Sequence, residues 1–221
     1  MLNLLDGYIQ NSLPEQGDFY TNPNLSKKVD DSGHFLPFFG NTVVFLLDDG
    51  TRNRLQYLQE DLYHAAGEML TDKLDASTFH MTLHDLMNAP KLSGELQSRM
   101  LETEKYAKEL LMQWQGQPPL RMKTTWPFNM VNTSIVLGLT PADEMSWQRL
   151  DEMYLALEKI IPLGYGLTPH ITIAYFRPGI ITSQQLLSLR KALKPVEWEV
   201  LLEMKKLVYQ EFTDMNHYSN G

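Results

Sequence analysis

STFHMTLHDL, residues 77–86, reads as a strand whose two faces differ in chemistry. In an extended chain alternate side chains point the same way, so His80 and Thr82 share one face while Met81 and Leu83 share the other. An apolar face anchors the strand in a core and leaves a polar His-x-Thr face to line a cleft. PHITIAYF, residues 169–176, repeats the pattern, with His170 and Thr172 on one face and Ile171 and Ile173 on the other. A single His-x-Thr occurs easily by chance among six histidines. Two on matched strands call for a common explanation.

The surroundings match as well. NTVVFLL, Asn41 to Leu47, is a β-branched apolar run suited to a buried strand, with Asp48-Asp49-Gly50 as the turn that ends it. Leu55, Leu58, Leu62 and Ala65 follow at helical spacing, and the first motif strand comes next. Ahead of the second motif, NTSIVLGL, Asn132 to Leu139, is another buried-strand candidate closed by Thr140-Pro141. An amphipathic helix marked by Leu150, Met153, Tyr154, Leu157 and Ile161 then leads to the motif. Asn41 and His80 are 39 residues apart, and Asn132 and His170 are 38 apart. A β-α-β unit used twice, the signature of internal duplication, accounts for both spacings.

Each motif is also followed by a helix and a strand. Leu96, Met100, Ala107, Leu111 and Trp114 describe a long helix ahead of a strand around Arg121 to Trp126. TSQQLLSLRKAL is a capped helix starting near Thr182 or Ser183, and Val196 to Phe212 is strand-rich. The expected fold class is α+β: bilobal, duplicated β-α-β units, two antiparallel-rich sheets lining a central cleft, and pseudo-twofold symmetry. Residues 1–36, interrupted by Pro14, Gly17, Pro23 and Gly33, read as an extension packed on the body. Residues 37–115 form the first lobe and 116–221 the second, within one compact domain.

Composition narrows the function. The 221 residues are 43% apolar and 21% charged, ordinary for a folded soluble chain. MLNLLDGYIQ has no basic start or cleavage site, and no run approaches membrane-spanning length, so a cytoplasmic protein without a membrane partner is expected. The absence of cysteine excludes disulfides, thiolate catalysis and thiolate zinc sites. A net charge of −8 opposes binding along a long nucleic-acid backbone and favours a small phosphorylated ligand. The basic pairs Lys27-Lys28, Arg52/Arg54 and Lys205-Lys206 read as solvated surface. A monomer is expected.

Two histidines and two threonines on opposed strands suit phosphodiester chemistry. Opening such a bond needs a base for the attacking oxygen and an acid for the departing one, and histidine serves either role near neutrality. In-line displacement puts those two oxygens on opposite sides of phosphorus. Threonine hydroxyls donate to the non-bridging oxygens, and no metal or other cofactor is required. An acid and a base histidine give a bell-shaped pH profile centred near neutrality.

The paired FHMTLHDL and PHITIAYF, spaced as they are, resemble the two signatures of the two-histidine (2H) phosphoesterase superfamily, the LigT-like fold. The resemblance covers roughly residues 37 to 212. It implies a bilobal body with both motifs on central strands. The activities it implies act on 2′,3′-cyclic nucleotides, related cyclic phosphates, 2′,5′-linked oligonucleotides or RNA ends. His80, Thr82, His170 and Thr172 take the motif positions, and either histidine can be the acid. The expected enzyme is a metal-independent phosphodiesterase for a cyclic phosphodiester or short nucleotide. RNA-end processing or 2′,5′ ligase-type chemistry and non-catalytic nucleotide binding are the alternatives.

Other residues are candidates by position. Strand alternation puts Phe176 on the face of His170 and Thr172 and turns Tyr175 away, although a bulge would exchange them; either is a candidate platform for a base. His84 continues the face of His80 and borders the pocket, with Asp85 facing away. Arg177, Arg121 or Lys123 could neutralise a phosphate, and Trp126 and Phe128 belong either to the core or to the cleft wall. His34 is a candidate lid residue. His64 and His217 are bystanders.

Overall fold

The computed structural model describes residues 13, 14 and 17–221, so MLNLLDGYIQ lies outside the described residues. In chain order the elements are β1 (Phe19–Tyr20), β2 (Phe39–Leu46), α1 (Asp49–Ala66), β3 (His80–Ala89), α2 (Gly94–Trp114), β4 (Leu120–Met130) and β5 (Ser134–Pro141). There follow α3 (Glu144–Glu158), β6 (His170–Tyr175), β7 (Ile180–Ile181), α4 (Ser183–Ala192), β8 (Glu199–Leu202), β9 (Leu207–Asp214) and β10 (His217–Asn220).

Local chemistry explains most boundaries. Val43, Val44 and Phe45 of β2 are wholly buried, as a strand covered on both faces requires. Asp48 does not end β2 with a turn. It caps α1, its carboxylate accepting from the Thr51 N–H at 2.9 Å, and Asp49 and Gly50 lie in the first helical turn. The buried stripe of α1 is Thr51, Leu55, Gln59, Leu62 and Ala66, which leaves Ala65 exposed. Asp143 caps α3, and Thr182 with Gln185 forms a capping box on α4.

Eight strands form one sheet in the order β10-β9-β2-β3-β6-β5-β4-β8, and all neighbours are antiparallel. The two expected sheets are thus two four-stranded halves, joined at the centre where Met81 pairs with Ile171. A small second sheet pairs β1 with β7, tying the extension to the end of the second motif region.

The connectivity corrects the expected lobes in one respect. The chain crosses between the halves after each motif: β4, which follows α2, pairs with β5, whereas after α4 the strand β8 stays on β4 and only β9 crosses back, to pair with β2 over Gly40 to Phe45. Residues 207–220 therefore complete the first half, not the second. Of the helices, α1 crosses to pack against β6 and α4, α3 packs against β4 and β5 of its own half and also reaches β3, and α2 packs against β2, β3 and β9.

One large apolar cluster runs through both halves, including Phe45, Met81, Leu83, Ile171 and Ile173. Burying each such side chain stabilises by about 1.5–3 kcal/mol. No helix among the described residues is long and apolar enough to cross a membrane.

Candidate active site

Antiparallel pairing through Met81 and Ile171 sets the neighbours on either side: His80 lies across from Thr172, and Thr82 from His170. The four motif side chains occupy the corners of a square on one sheet face, with the histidines on a diagonal. Such diagonal neighbours are roughly 7–8 Å apart at the backbone, wide enough to flank a phosphoryl group. Both apolar partners of each motif, Met81 and Leu83, Ile171 and Ile173, are fully buried beneath.

The two rings are held identically. Nδ1 of His80 lies 2.7 Å from the Thr78 carbonyl oxygen, and Nδ1 of His170 lies 2.6 Å from that of Thr168. A carbonyl only accepts, so each Nδ1–H donates and each Nε2 is left for the cleft. Both rings keep part of their surface open to a cleft of about 520 Å³ that also takes in Thr82 and Thr172. Burial pushes His80 down to about 4, against the upward pull of its Thr78 hydrogen bond and the nearby Asp85 carboxylate. His170 is lowered by the same burial, opposed by Thr168 and Asp85.

A β-bulge follows the threonine in both strands. Val44 pairs with Thr82 but Val43 with His84, leaving Leu83 as an extra residue in β3. Val136 pairs with Thr172 but Ile135 with Ala174, leaving Ile173 extra in β6. Leu83 and His84 are consequently buried in succession, as are Ile173 and Ala174, and alternation resumes one residue late. Polar side chains outside the motifs hold the bulged backbone. Thr42 Oγ1 donates to the His84 carbonyl at 3.0 Å, and Gln59 Nε2 donates to the Ile173 carbonyl at 3.0 Å.

The bulges rearrange the residues expected beside the motifs. Tyr175, not Phe176, lines the cleft, and Phe176 is fully buried against Phe19 with ring centroids 5.8 Å apart. Asp85 lines the cleft instead of facing away. His84 leaves the face of His80. Its ring is buried against Tyr154, and Nε2 lies 3.0 Å from Glu158 Oε1, so it meets the cleft only as a covered part of the wall. Arg177 points elsewhere, donating from Nε to the Leu70 carbonyl at 2.6 Å.

The other candidates disperse. Arg121 pairs with Glu199 at 3.0 Å on the far edge of the sheet, Trp126 is exposed, and Phe128 is buried with Val136. His34 is no lid: it is exposed and paired to Asp72 at 2.8 Å, a contact that raises its pKa. Among the described residues, no group of three or more His, Asp or Glu side chains could hold a metal ion.

Several cleft residues besides Asp85 carry no mark in the sequence. Lys28, read as solvated surface, reaches into the cleft from the extension, its ammonium 4.7 Å from the Phe38 ring centroid. Burial lowers its pKa, and Asp85 opposes that shift. Tyr218 of β10 packs edge-on against His80 at 5.0 Å, and Phe212 lies 5.6 Å from Tyr218, together forming an aromatic wall. Tyr165 lines the cleft from the loop after α3.

No family model and no curated protein matches this sequence. Solved structures do. A conserved protein of unknown function from Agrobacterium tumefaciens str. C58, ATU0111, matches with a TM-score of 0.64 and 18% identity, over 100% of this chain and 98% of its own. E. coli LigT in apo form matches with a TM-score of 0.53 and 14% identity, over 83% of this chain and 95% of LigT. LigT complexed with 3′-AMP gives a TM-score of 0.53 and 14% identity, over 84% and 95%. The chain therefore has the LigT-like fold.

Proposed function

We propose that the protein is a metal-independent phosphodiesterase of the two-histidine type, acting on a small cyclic phosphodiester such as a 2′,3′-cyclic nucleotide. The observation that carries this reading is the diagonal pair His80 and His170, each pinned through Nδ1–H and each presenting Nε2 to one cleft. A cleft of about 520 Å³ suits a nucleotide-sized ligand, and the aromatic wall of Tyr218 and Phe212 offers a stacking surface beside His80. The solved complex of LigT with 3′-AMP supports a nucleotide in this fold.

In this mechanism one histidine takes a proton from water as the water oxygen bonds to phosphorus. The other gives a proton to the ribose oxygen as its bond to phosphorus breaks. Thr82 and Thr172 donate hydrogen bonds to the non-bridging oxygens, where negative charge gathers in the transition state. We assign His80 as the base, because burial keeps it neutral above about pH 4. His170 is then the acid. Both histidines are shifted downward, so the kcat/KM optimum lies on the acid side of neutrality, not at it. Bound substrate carries a negative charge that favours imidazolium and moves the kcat profile back up.

The deciding experiment is a chelator-treated hydrolysis screen of 2′,3′-cyclic nucleotides, 3′,5′-cyclic nucleotides and 2′,5′-linked oligonucleotides. Wild type is compared with the His80→Ala/His170→Ala double variant. Turnover of the 2′,3′-cyclic substrates by wild type alone is expected. Equal turnover by the double variant, or turnover lost with chelator, contradicts the proposal.

A further inference from the structure

The two motif strands are near copies except at the first residue to re-enter the cleft beyond the bulge, which is Asp85 in β3 and Tyr175 in β6. Asp85 is the only carboxylate lining the cleft among the described residues. Its place is built. The bulge at Leu83 turns it inward, and Thr42 Oγ1, which donates to the His84 carbonyl, also lies 3.4 Å from Asp85 Oδ1.

The titratable groups within electrostatic reach of Asp85 come from every element around the cleft. They are Lys28 of the extension, His80 of β3, His170 and Tyr175 of β6, Tyr154 of α3 and Tyr218 of β10. Its sequence neighbour His84 is turned away onto Glu158.

We propose that Asp85 is a positioning residue of this site, a cleft-lining carboxylate whose negative potential favours the protonated form of the histidines and so helps keep the proton on the acid, with Lys28 as its counter-charge. The inference rests on the acid–base reading of His80 and His170. That chemistry contains a conflict which a carboxylate at this place relieves. Burial disfavours the imidazolium that the leaving oxygen needs, and the Thr168 carbonyl on Nδ1 opposes that burial first, with the Asp85 carboxylate adding to it. Asp85 favours the charged form of both rings and opposes their burial. It exchanges no proton itself. The base gains one from water, the acid loses one to the leaving oxygen, and the pair resets after product departs. Tyr175 at the twin position carries no charge at neutral pH, its pKa being raised by burial and by Asp85, so the potential comes from one side only.

Two measurements on Asp85→Asn, with Asp85→Glu as the charge-conserving control, decide the matter. NMR titration of the His80 and His170 ring protons needs no substrate. Both midpoints are expected to fall in Asp85→Asn and to recover in Asp85→Glu. With 2′,3′-cyclic AMP, the alkaline limb of kcat/KM is expected to move to lower pH, with a loss of about 3- to 30-fold at pH 7.5. That is less than the roughly 10²–10⁴-fold of removing a general acid outright. Unchanged midpoints overturn the inference, as does an unchanged alkaline limb with only KM raised, which would make Asp85 a substrate contact. Wild type that turns over no phosphodiester defeats the proposed function, while the titration still decides whether Asp85 acts on the histidines.

Discussion

The two motif strands present the same histidine, the same threonine, the same i−2 carbonyl on Nδ1 and the same bulge, yet they deliver different third residues to the cleft. β3 delivers Asp85, an acid, and β6 delivers Tyr175, whose hydroxyl contacts Thr172 and donates to Met215 Sδ at 3.3 Å. The supports differ too: the first bulge is held by a threonine on the neighbouring strand, the second by a glutamine from a helix. The comparison teaches that backbone geometry keeps the pair of histidines equivalent, while the side chains arriving after the bulge give the two sides of the cleft different charge.

The largest test removes the shared part. His80→Ala or His170→Ala alone should lower cyclic-phosphate turnover by about 10²–10⁴-fold, and the double variant should be little worse than the poorer single, because the two act as a unit. A fully active single variant breaks the equivalence outright. Next, the floors of the two halves can be compared. Met81→Ala and Ile171→Ala, which replace the fully buried pair joining them, should each destabilise by about 2–5 kcal/mol in urea unfolding. A cost in one half alone would show that the halves do not share a core.

A smaller effect is expected from Thr82→Val and Thr172→Val. Losing a hydrogen bond to a charged phosphate corresponds to about 1.5–3 kcal/mol, seen in kcat/KM more than in stability. Thr172 also contacts Tyr175, so its variant should in addition release the tyrosine ring, visible as a changed Tyr175 NMR signal. The smallest effect concerns pH. His80 stays neutral in the folded chain down to about pH 4, whereas an unfolded histidine takes up its proton near 6.5. The unfolded state binds more protons in that window, so His80 makes stability fall as pH drops from about 6.5 toward 4. The His80→Gln variant should show a shallower loss across this range, and an unchanged slope would mean the ring is not desolvated.

Much of this was legible from side-chain alternation alone. His80 and Thr82 over Met81 and Leu83, and His170 and Thr172 over Ile171 and Ile173, announce a strand with a polar face and a buried one. Beyond the threonine alternation misleads, because a bulge leaves no mark in composition: Leu83-His84 and Ile173-Ala174 look like continued alternation. That one-residue slip put Phe176 and His84 where Tyr175 and Asp85 belong. Lys28 was hidden for another reason. It sits in a stretch with no period, held by the bridge between Val29 and Phe35 and by the Leu36 N–H bonding the Lys28 carbonyl at 2.8 Å. Tyr218 was hidden by topology, since nothing local tells β9 and β10 to return to β2.

That return governs how the chain can be made. As the protein emerges from a ribosome, β2 appears early, yet the strand that covers its outer edge is not synthesised until residues 207–212. For most of translation the apolar run Phe39–Leu46 has one hydrogen-bonding edge without its final partner, a template for pairing with another nascent chain. Native contacts this distant in sequence also slow folding. Truncation before β9 should therefore yield an insoluble chain, although both histidines and both threonines would still be present.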